Sequence, residues 1–418
     1  MAAPNQEQKF LEVIKPHSTY EFIGRTKYWI GLSIVLTVIA LVMPVLNAFV
    51  IKSRGHFLNW GVDFRGGSEI LIEFSRAVEA GKIRETLASI GFHDADVVKY
   101  EDPTGQKKWN YLVRVGAVSV VSEAQVKQIK ESLAKIGEAS MKRFEWSEGG
   151  DKVYLRYDKT VDPAVLANSL KAIGVNTTQV QPFGRADDNT YEVTLVGLDS
   201  EIRRGLEANL GAGVVAAIPK VDSVGAKAGN QLKVDGVKSL LYAILLIMVY
   251  IAFRFDLRYG PGTVVALLHD AVITIGAFAV TYKEFSLTTV AAVLTIIGFS
   301  MNDTIVVFDR IRENAARFRD RRFDRVVNQS INETLSRTIW TSATVFFVTL
   351  AMNILGVGVI RDFAFAMNVG VIVGTYSSIF IASPILIWLN DKYTASQRKQ
   401  QSRQARRPQR TDEDPEGL

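Results

Sequence analysis

The residues best suited to chemistry in this chain are ionisable groups set inside apolar runs. His269-Asp270 interrupts VVALLHDAVITIG, Asn302-Asp303-Thr304 interrupts TIIGFSMNDTIVVFDR, and Arg337 stands in ETLSRTIWTS. A charge at bilayer depth costs roughly 2.5–3.5 kcal/mol on insertion scales, so ionisable residues there are functional candidates by default. A carboxylate beside an arginine stays ionised; when the arginine withdraws, burial favours the protonated form. Alternation between those states moves a proton, and that is the chemistry this set offers. A static ion pair or a helix-packing hydrogen bond is the alternative for each residue, and most of all for His269.

Composition closes other routes. The chain has no cysteine, which excludes a disulfide scaffold, a Cys-ligated metal and a thiol nucleophile. His17, His56, His93 and His269 are scattered without metal-ligand spacing. No Gly-rich phosphate loop or nucleophile elbow occurs in residues 52–235. No metal, no cofactor and no enzymatic catalysis are expected.

The elements that must hold these groups are six apolar spans. Residues 28–51 carry no charge. At 1.5 Å per residue they cross a hydrocarbon core of ~30 Å. Five more spans crowd the C-terminal half, at 237–253, 263–282, 286–308, 339–360 and 363–389. They leave too little polar sequence to cover them as the core of a soluble protein. Asp303 stands five residues before Phe308, hence roughly 7–8 Å inside that end of its span. Asp270 follows Thr263 by seven residues on an antiparallel neighbour. Arg337 opens the fifth span, so all three are expected in one layer. Gly298, Gly356, Gly358, Gly370 and Gly374 are candidates for close helix contact, with Gly370 and Gly374 at small-xxx-small spacing.

Orientation follows from Lys/Arg bias. Residues 309–338 hold eight arginines, while the turns at Lys283–Phe285 and Arg361–Asp362 hold one basic residue each. Both termini are therefore expected in the cytoplasm and the 52–235 domain on the far, periplasmic side. That domain has 25 Lys+Arg and 25 Asp+Glu, so the net charge of +6 belongs to the membrane part and its flanks. This argues against nucleic acid as a partner. Phe308, Ile311, Phe318, Phe323, Val327, Ile331 and Leu335 recur among the arginines of 309–338, which predicts an amphipathic helix on the membrane surface or a docking face. The tail 390–418 reads as disordered, and residues 1–27 as a cytoplasmic N-terminus.

The large domain carries an internal repeat. At an offset of 83, EILIEFS (69–75) superposes Ile70, Ile72 and Phe74 on Val153, Leu155 and Tyr157 of VYLRY; LASIG (87–91) matches LKAIG (170–174). Paired strands YLVRVG and YEVTLVG follow, each with an amphipathic helix and a last strand, KRFEW (142–146) and VVAAIP (214–219). The pattern predicts two sequential β-α-β-β-α-β units of ferredoxin-like type, about 61–147 and 148–220.

Four segments carry a family resemblance: GVDFRGGSEI (61–70), FRFDLRYGPGTVVALLHD (253–270), IGFSMNDTIVVFDRIREN (297–314) and NETLSRTIWTS (332–342). Over about residues 10–395 the chain resembles the SecF family of the bacterial Sec export system. The resemblance implies half of a resistance-nodulation-division-type bundle of six transmembrane helices in the inner membrane. It implies that, with SecD, the protein uses the proton-motive force to drive the later stages of preprotein translocation, beside the SecYEG channel, the SecA ATPase and YajC-type accessory proteins. Asp303 and Arg337 match the family's proton-passage residues, and Asn302 and Thr304 beside Asp303 are proton-coupling candidates with them; Asp270 matches a motif of less defined role. Gly61, Asp63, Phe64, Gly66 and Gly67 match a DFxGG turn of structural character. Typical members carry one ferredoxin-like unit outside the membrane, where this chain shows two. The alternative from another class is a half-size exporter of lipids or hydrophobic small molecules.

Overall fold

The computed structural model describes residues 20–51, 54–100, 109–117, 123–146, 152–175, 177–184, 188–255 and 258–405. In chain order, α1 (Thr26–Phe49) leads to β1 (Asn59–Trp60), the single turn α2 (Val62–Arg65), β2 (Gly67–Phe74), α3 (Ala80–Ser89), β3 (Asp96–Tyr100) and β4 (Asn110–Val115). Next come α4 (Glu123–Leu133), β5 (Lys135–Ile136), β6 (Ala139–Trp146), β7 (Lys152–Tyr157), α5 (Pro163–Ala172), β8 (Thr177–Pro182) and β9 (Thr190–Leu195). The chain returns through α6 (Leu198–Leu210) and β10 (Val215–Val224) to α7 (Ala226–Arg254) and α8 (Gly260–Thr281). The two-residue β11 (Glu284–Phe285) precedes α9 (Leu287–Arg317), α10 (Phe323–Leu355), α11 (Val359–Ser377) and α12 (Ser383–Ala405).

Six helical stretches among the described residues are long and apolar enough to cross a membrane. Their number agrees with the sequence reading, but their ends do not. Apolar content marks where a helix can lie in lipid, whereas backbone hydrogen bonding continues until a cap or a proline stops it. The fourth and fifth helices thus run beyond their apolar windows. The expected surface helix in 309–338 is corrected: those residues extend α9 and α10 into a helical hairpin turned at 318–322. Its apolar stripe faces inward. Phe308, Ile311, Val327, Ile331 and Leu335 are buried in one cluster with residues of α8 and α12. Asn314 Nδ2 donates to Ser330 Oγ at 3.0 Å, and the Arg310–Glu333 pair (2.5 Å) closes the hairpin outside. The N-terminal backbone is tied to the same hairpin, since Phe22 N donates to Asn328 Oδ1 at 2.8 Å.

The tail expectation is corrected over 390–405, which continue α12 as helix; 406–418 and 1–19 lie outside the described residues. Between α11 and α12, residues Ser378–Ala382 form a π turn. Pro384 supplies the reason: it lacks an N–H and its ring crowds the carbonyl four residues back, so the helix widens there.

The domain between α1 and α7 holds two sheets. One has the order β10-β2-β4-β3; the other has β5-β6-β7-β9-β8. Strand pairing corrects the expected halves at 61–147 and 148–220. The sheet begun by β2, β3 and β4 is completed by β10, with α6 packed on it: Leu198, Ile202 and Leu206 share a core with Ile70, Ile72, Val113, Ile83 and Leu87. The sheet of β7, β8 and β9 is completed by β6, and α4 covers it, with Ile129 and Leu133 beside Leu155, Leu166 and Val193. In both sheets a strand–helix–two-strand run pairs its first strand with a strand that follows the second helix. In the outer sheet that helix and strand, α4 and β6, come first in the chain. The outer unit is thus one contiguous segment placed inside the inner one.

This topology makes a prediction. A soluble fragment of residues 123–195 should unfold in a single cooperative thermal transition by circular dichroism, whereas 61–147, which lacks β10 and α6, should show no transition.

Candidate functional site

Small residues bring α8, α9 and α11 together. A Cβ on Gly370 would collide with Ile296 of α9, and one on Gly374 would stand 2.9 Å from Ser300 Cβ. Side-chain-free backbone at these two positions lets helices approach closely, so polar groups on them can meet.

They meet at Asp270, which has no exposed surface. Ser300 Oγ of α9 and Ser377 Oγ of α11 donate to Asp270 Oδ2 at 2.5 and 2.7 Å. His269 Nδ1 lies 3.0 Å from Oδ1. Asp270 therefore ties three helices at one carboxylate. Hydrogen bonds to a charged group contribute about 1.5–3 kcal/mol each, and a buried carboxylate stripped of them would cost several. His269 is itself buried, its Nε2 finding no partner among the described residues. It borders an apolar groove of about 480 Å³ lined by Ile34 and Val38 of α1, Val265 and Val272 of α8 and Ile385 of α12.

Asp303, 3% exposed, is held more loosely. Ser342 Oγ of α10 donates to its Oδ2 at 3.3 Å, and Thr375 Oγ1 of α11 lies 2.6 Å from Ser342 Oγ. Ser300 stands almost one turn before Asp303 on α9, and Thr375 and Ser377 are two apart on α11. Each carboxylate thus has its own pair of hydroxyls, Ser300 and Ser377 at Asp270 and Ser342 and Thr375 at Asp303. A hydroxyl donates and accepts, so such groups can pass a proton by reorienting.

The other sequence candidates are placed as follows. Arg337 is exposed and makes no ion pair with Asp303 among the described residues; its charge reaches Asp303 only through space. The single-layer expectation is corrected to that extent. Depth along a helix was readable, while the direction a side chain takes around the axis was not. Asn302 is exposed, about 100° around α9 from Asp303. Thr304 is buried, with its hydroxyl donated to Ser300 O at 3.2 Å on its own helix. Sequence reasoning missed Ser300, Ser342, Thr375 and Ser377. Their signal was available: Ser300 lies three residues before Asp303, and Thr375 and Ser377 follow Gly374.

The glycine turn stands at the other end of the bundle. Gly61 N donates to Phe285 O at 3.0 Å, in line with the parallel pairing of β1 and β11. Asp63 Oδ2 accepts from Leu287 N at 2.9 Å, holding the start of α9. Phe64 is buried against Trp60 and Phe285. Gly66 has φ +76°; Gly67 has φ +115°, and a Cβ there would strike Val115 O, so β2 begins only with glycine in place. These five residues seat the domain on the bundle.

Residues 207–392 match the family of protein export membrane proteins SecD/SecF, C-terminal, and residues 58–78 match the SecD/SecF GG motif. The chain is 32% identical over 414 residues to the protein translocase subunit SecF of Koribacter versatilis, covering 91% of this chain and 95% of that one. It is 33% identical to the SecF subunit of Calditerrivibrio nitroreducens, covering 90% and 96%. The solved structure of SecDF from Thermus thermophilus, a translocon-associated membrane protein, superposes with a TM-score of 0.55 at 27% identity; the match covers 90% of this chain and 39% of that longer one. The six-helix bundle with its β-containing domain is therefore that of the SecD/SecF membrane proteins. Within them, this chain belongs to the SecF family of protein translocase subunits.

Gly370→Leu should overpack the α9–α11 contact at a cost of about 1–3 kcal/mol. The expected result is a lower thermal unfolding midpoint for the full-length protein in detergent. Gly31→Leu, on α1 with open space around its Cβ, should leave that midpoint unchanged.

Proposed function

We propose that this chain, with a SecD-type partner, uses the proton-motive force to drive the later stages of preprotein translocation through the SecYEG channel after SecA has begun it. It does so by conformational change, with no chemical catalysis. Both termini face the cytoplasm and the domain faces the periplasm, with YajC-type proteins as further companions. The observation that carries this reading is the pair of buried carboxylates, Asp270 and Asp303, each served by hydroxyls from neighbouring helices among α8, α9, α10 and α11. Asp303 is held by one donor at 3.3 Å, whereas Asp270 has three partners. Asp303 is thus the group that changes state, and Asp270 the one that keeps the helices registered. Arg337 approaches Asp303 in the alternate state, which pairs the charge when no proton is bound. Against export of lipids, the grooves on the domain are lined with charge, as at Arg143, Glu145, Arg156 and Asp188.

The test is preprotein translocation into inverted membrane vesicles under an imposed proton gradient. Asp303→Asn and Arg337→Lys should abolish the gradient-dependent late phase while ATP-dependent initiation continues. Full gradient stimulation in both variants would refute the proton role.

A further inference from the structure

The junction between domain and bundle carries a charge arrangement that the proton path through the bundle does not use. Glu284, in the turn between α8 and α9, is 9% exposed at its side chain. Arg114 of β4 pairs with it from the sheet above. The same guanidinium binds Glu69 of β2 at 2.9 Å and lies 3.7 Å from Asp96 of β3. Asp63 of α2 and Asp362 at the start of α11 also face Glu284, and Lys283 pairs with Asp362 at 3.0 Å. Glu284, Glu69, Asp96, Asp63 and Asp362 thus gather at the seam around Arg114 and Lys283, with Arg65 and Asp94 in the cleft beside Asp96 and Lys220 facing Glu69. A second contact of the same sheet reaches the bundle, where Tyr100 of β3 lies against Gly358. A cleft of about 300 Å³ lined by Arg65, Asp94, Asp96 and Arg114 opens beside the seam.

We propose that Glu284 is a proton-binding site at which protonation clasps the inner sheet onto the bundle and deprotonation lets it lift. The burial of this carboxylate among others is the cause. With Glu284 ionised, its charge is buried facing Glu69, Asp362 and Asp63 and is offset by Arg114; with it neutral, that burden is removed. Burial, first, and then Glu69, Asp362 and Asp63 push Glu284 up to about 7 against the pull of Arg114. Arg114 stays charged, raised by Glu284 and Glu69 although burial opposes this. The sign follows by linkage. The lifted state exposes Glu284 to water, where it titrates near its ordinary value of 4.5. The docked state therefore binds the proton more tightly, and docking weakens about tenfold per pH unit as pH rises from the lower value to the upper, then levels off. The clasp extends the proton-coupled reading, but its test does not need translocation.

Since the chain lacks cysteine, Ser89→Cys on α3 and Leu355→Cys at the end of α10 give one defined pair of spin labels in the full-length protein in nanodiscs. Distances by double electron–electron resonance should show a short, docked peak at about pH 5 that shrinks by about pH 8 in favour of a longer one. Glu284→Gln should keep the docked peak at both. Glu69→Gln, which removes a facing negative charge, should move the midpoint to lower pH. A distribution independent of pH overturns the clasp, as does a pH response that survives Glu284→Gln. If Glu284→Gln does not fold, an unmoved midpoint in Glu69→Gln overturns it.

Discussion

A carboxylate inside a bilayer finds no solvent to bond, and most of this structure can be traced to that constraint. Asp270 must be satisfied by protein, so helices from three parts of the chain have to bring donors to it. Donors as short as serine reach only when backbones nearly touch. Hence Gly370 and Gly374 where α11 crosses α9, and hence the buried faces of α8, α9 and α11. Helices outside this contact, α1 and α7, keep most of their surface for lipid. The polar centre selects which helices are inner and which are outer.

The junction solves a different problem, which is how to attach a water-exposed domain to a lipid-exposed bundle. Apolar contact carries part of the load, through Phe64, Trp60 and Phe285. Direction comes from polar groups at helix and strand ends. The Asp63 carboxylate accepts from the first backbone N–H of α9, a position where the helix dipole favours negative charge. β1 and β11 pair for only two residues, enough to fix register without building a rigid sheet across the seam. Attachment is thus specific in orientation and modest in area.

Much of this was legible in the residues. Uninterrupted apolar runs gave the six spans, because length and hydropathy suffice to cross a bilayer. Strand and helix periodicities gave the elements of the domain, and the offset of 83 gave their similarity. What failed were statements about partners in space. Periodicity marks a residue's inward face but not which distant strand will lie beside it, so α6 and β10 were assigned to the wrong sheet. Depth along a helix says nothing of azimuth, so the expected layer of Asp270, Asp303 and Arg337 overlooks that Arg337 is exposed. The serines at Asp270 escaped because a lone hydroxyl in an apolar run resembles packing until the carboxylate it serves is known.

The inner sheet has a property that reaches beyond this molecule. Its first and last strands, β2 and β10, are antiparallel neighbours, so the chain enters and leaves the domain at one place beside the membrane. Everything between β4 and α6 is inserted at that same end, where Val115 pairs with Ser68 next to Gly67 and Val224. A whole folded unit is threaded in there without interrupting the sheet of β10, β2, β4 and β3. The domain is therefore modular in its inserted sheet and fixed in the sheet that meets the bundle, so related chains are free to differ in the one while the membrane apparatus stays the same.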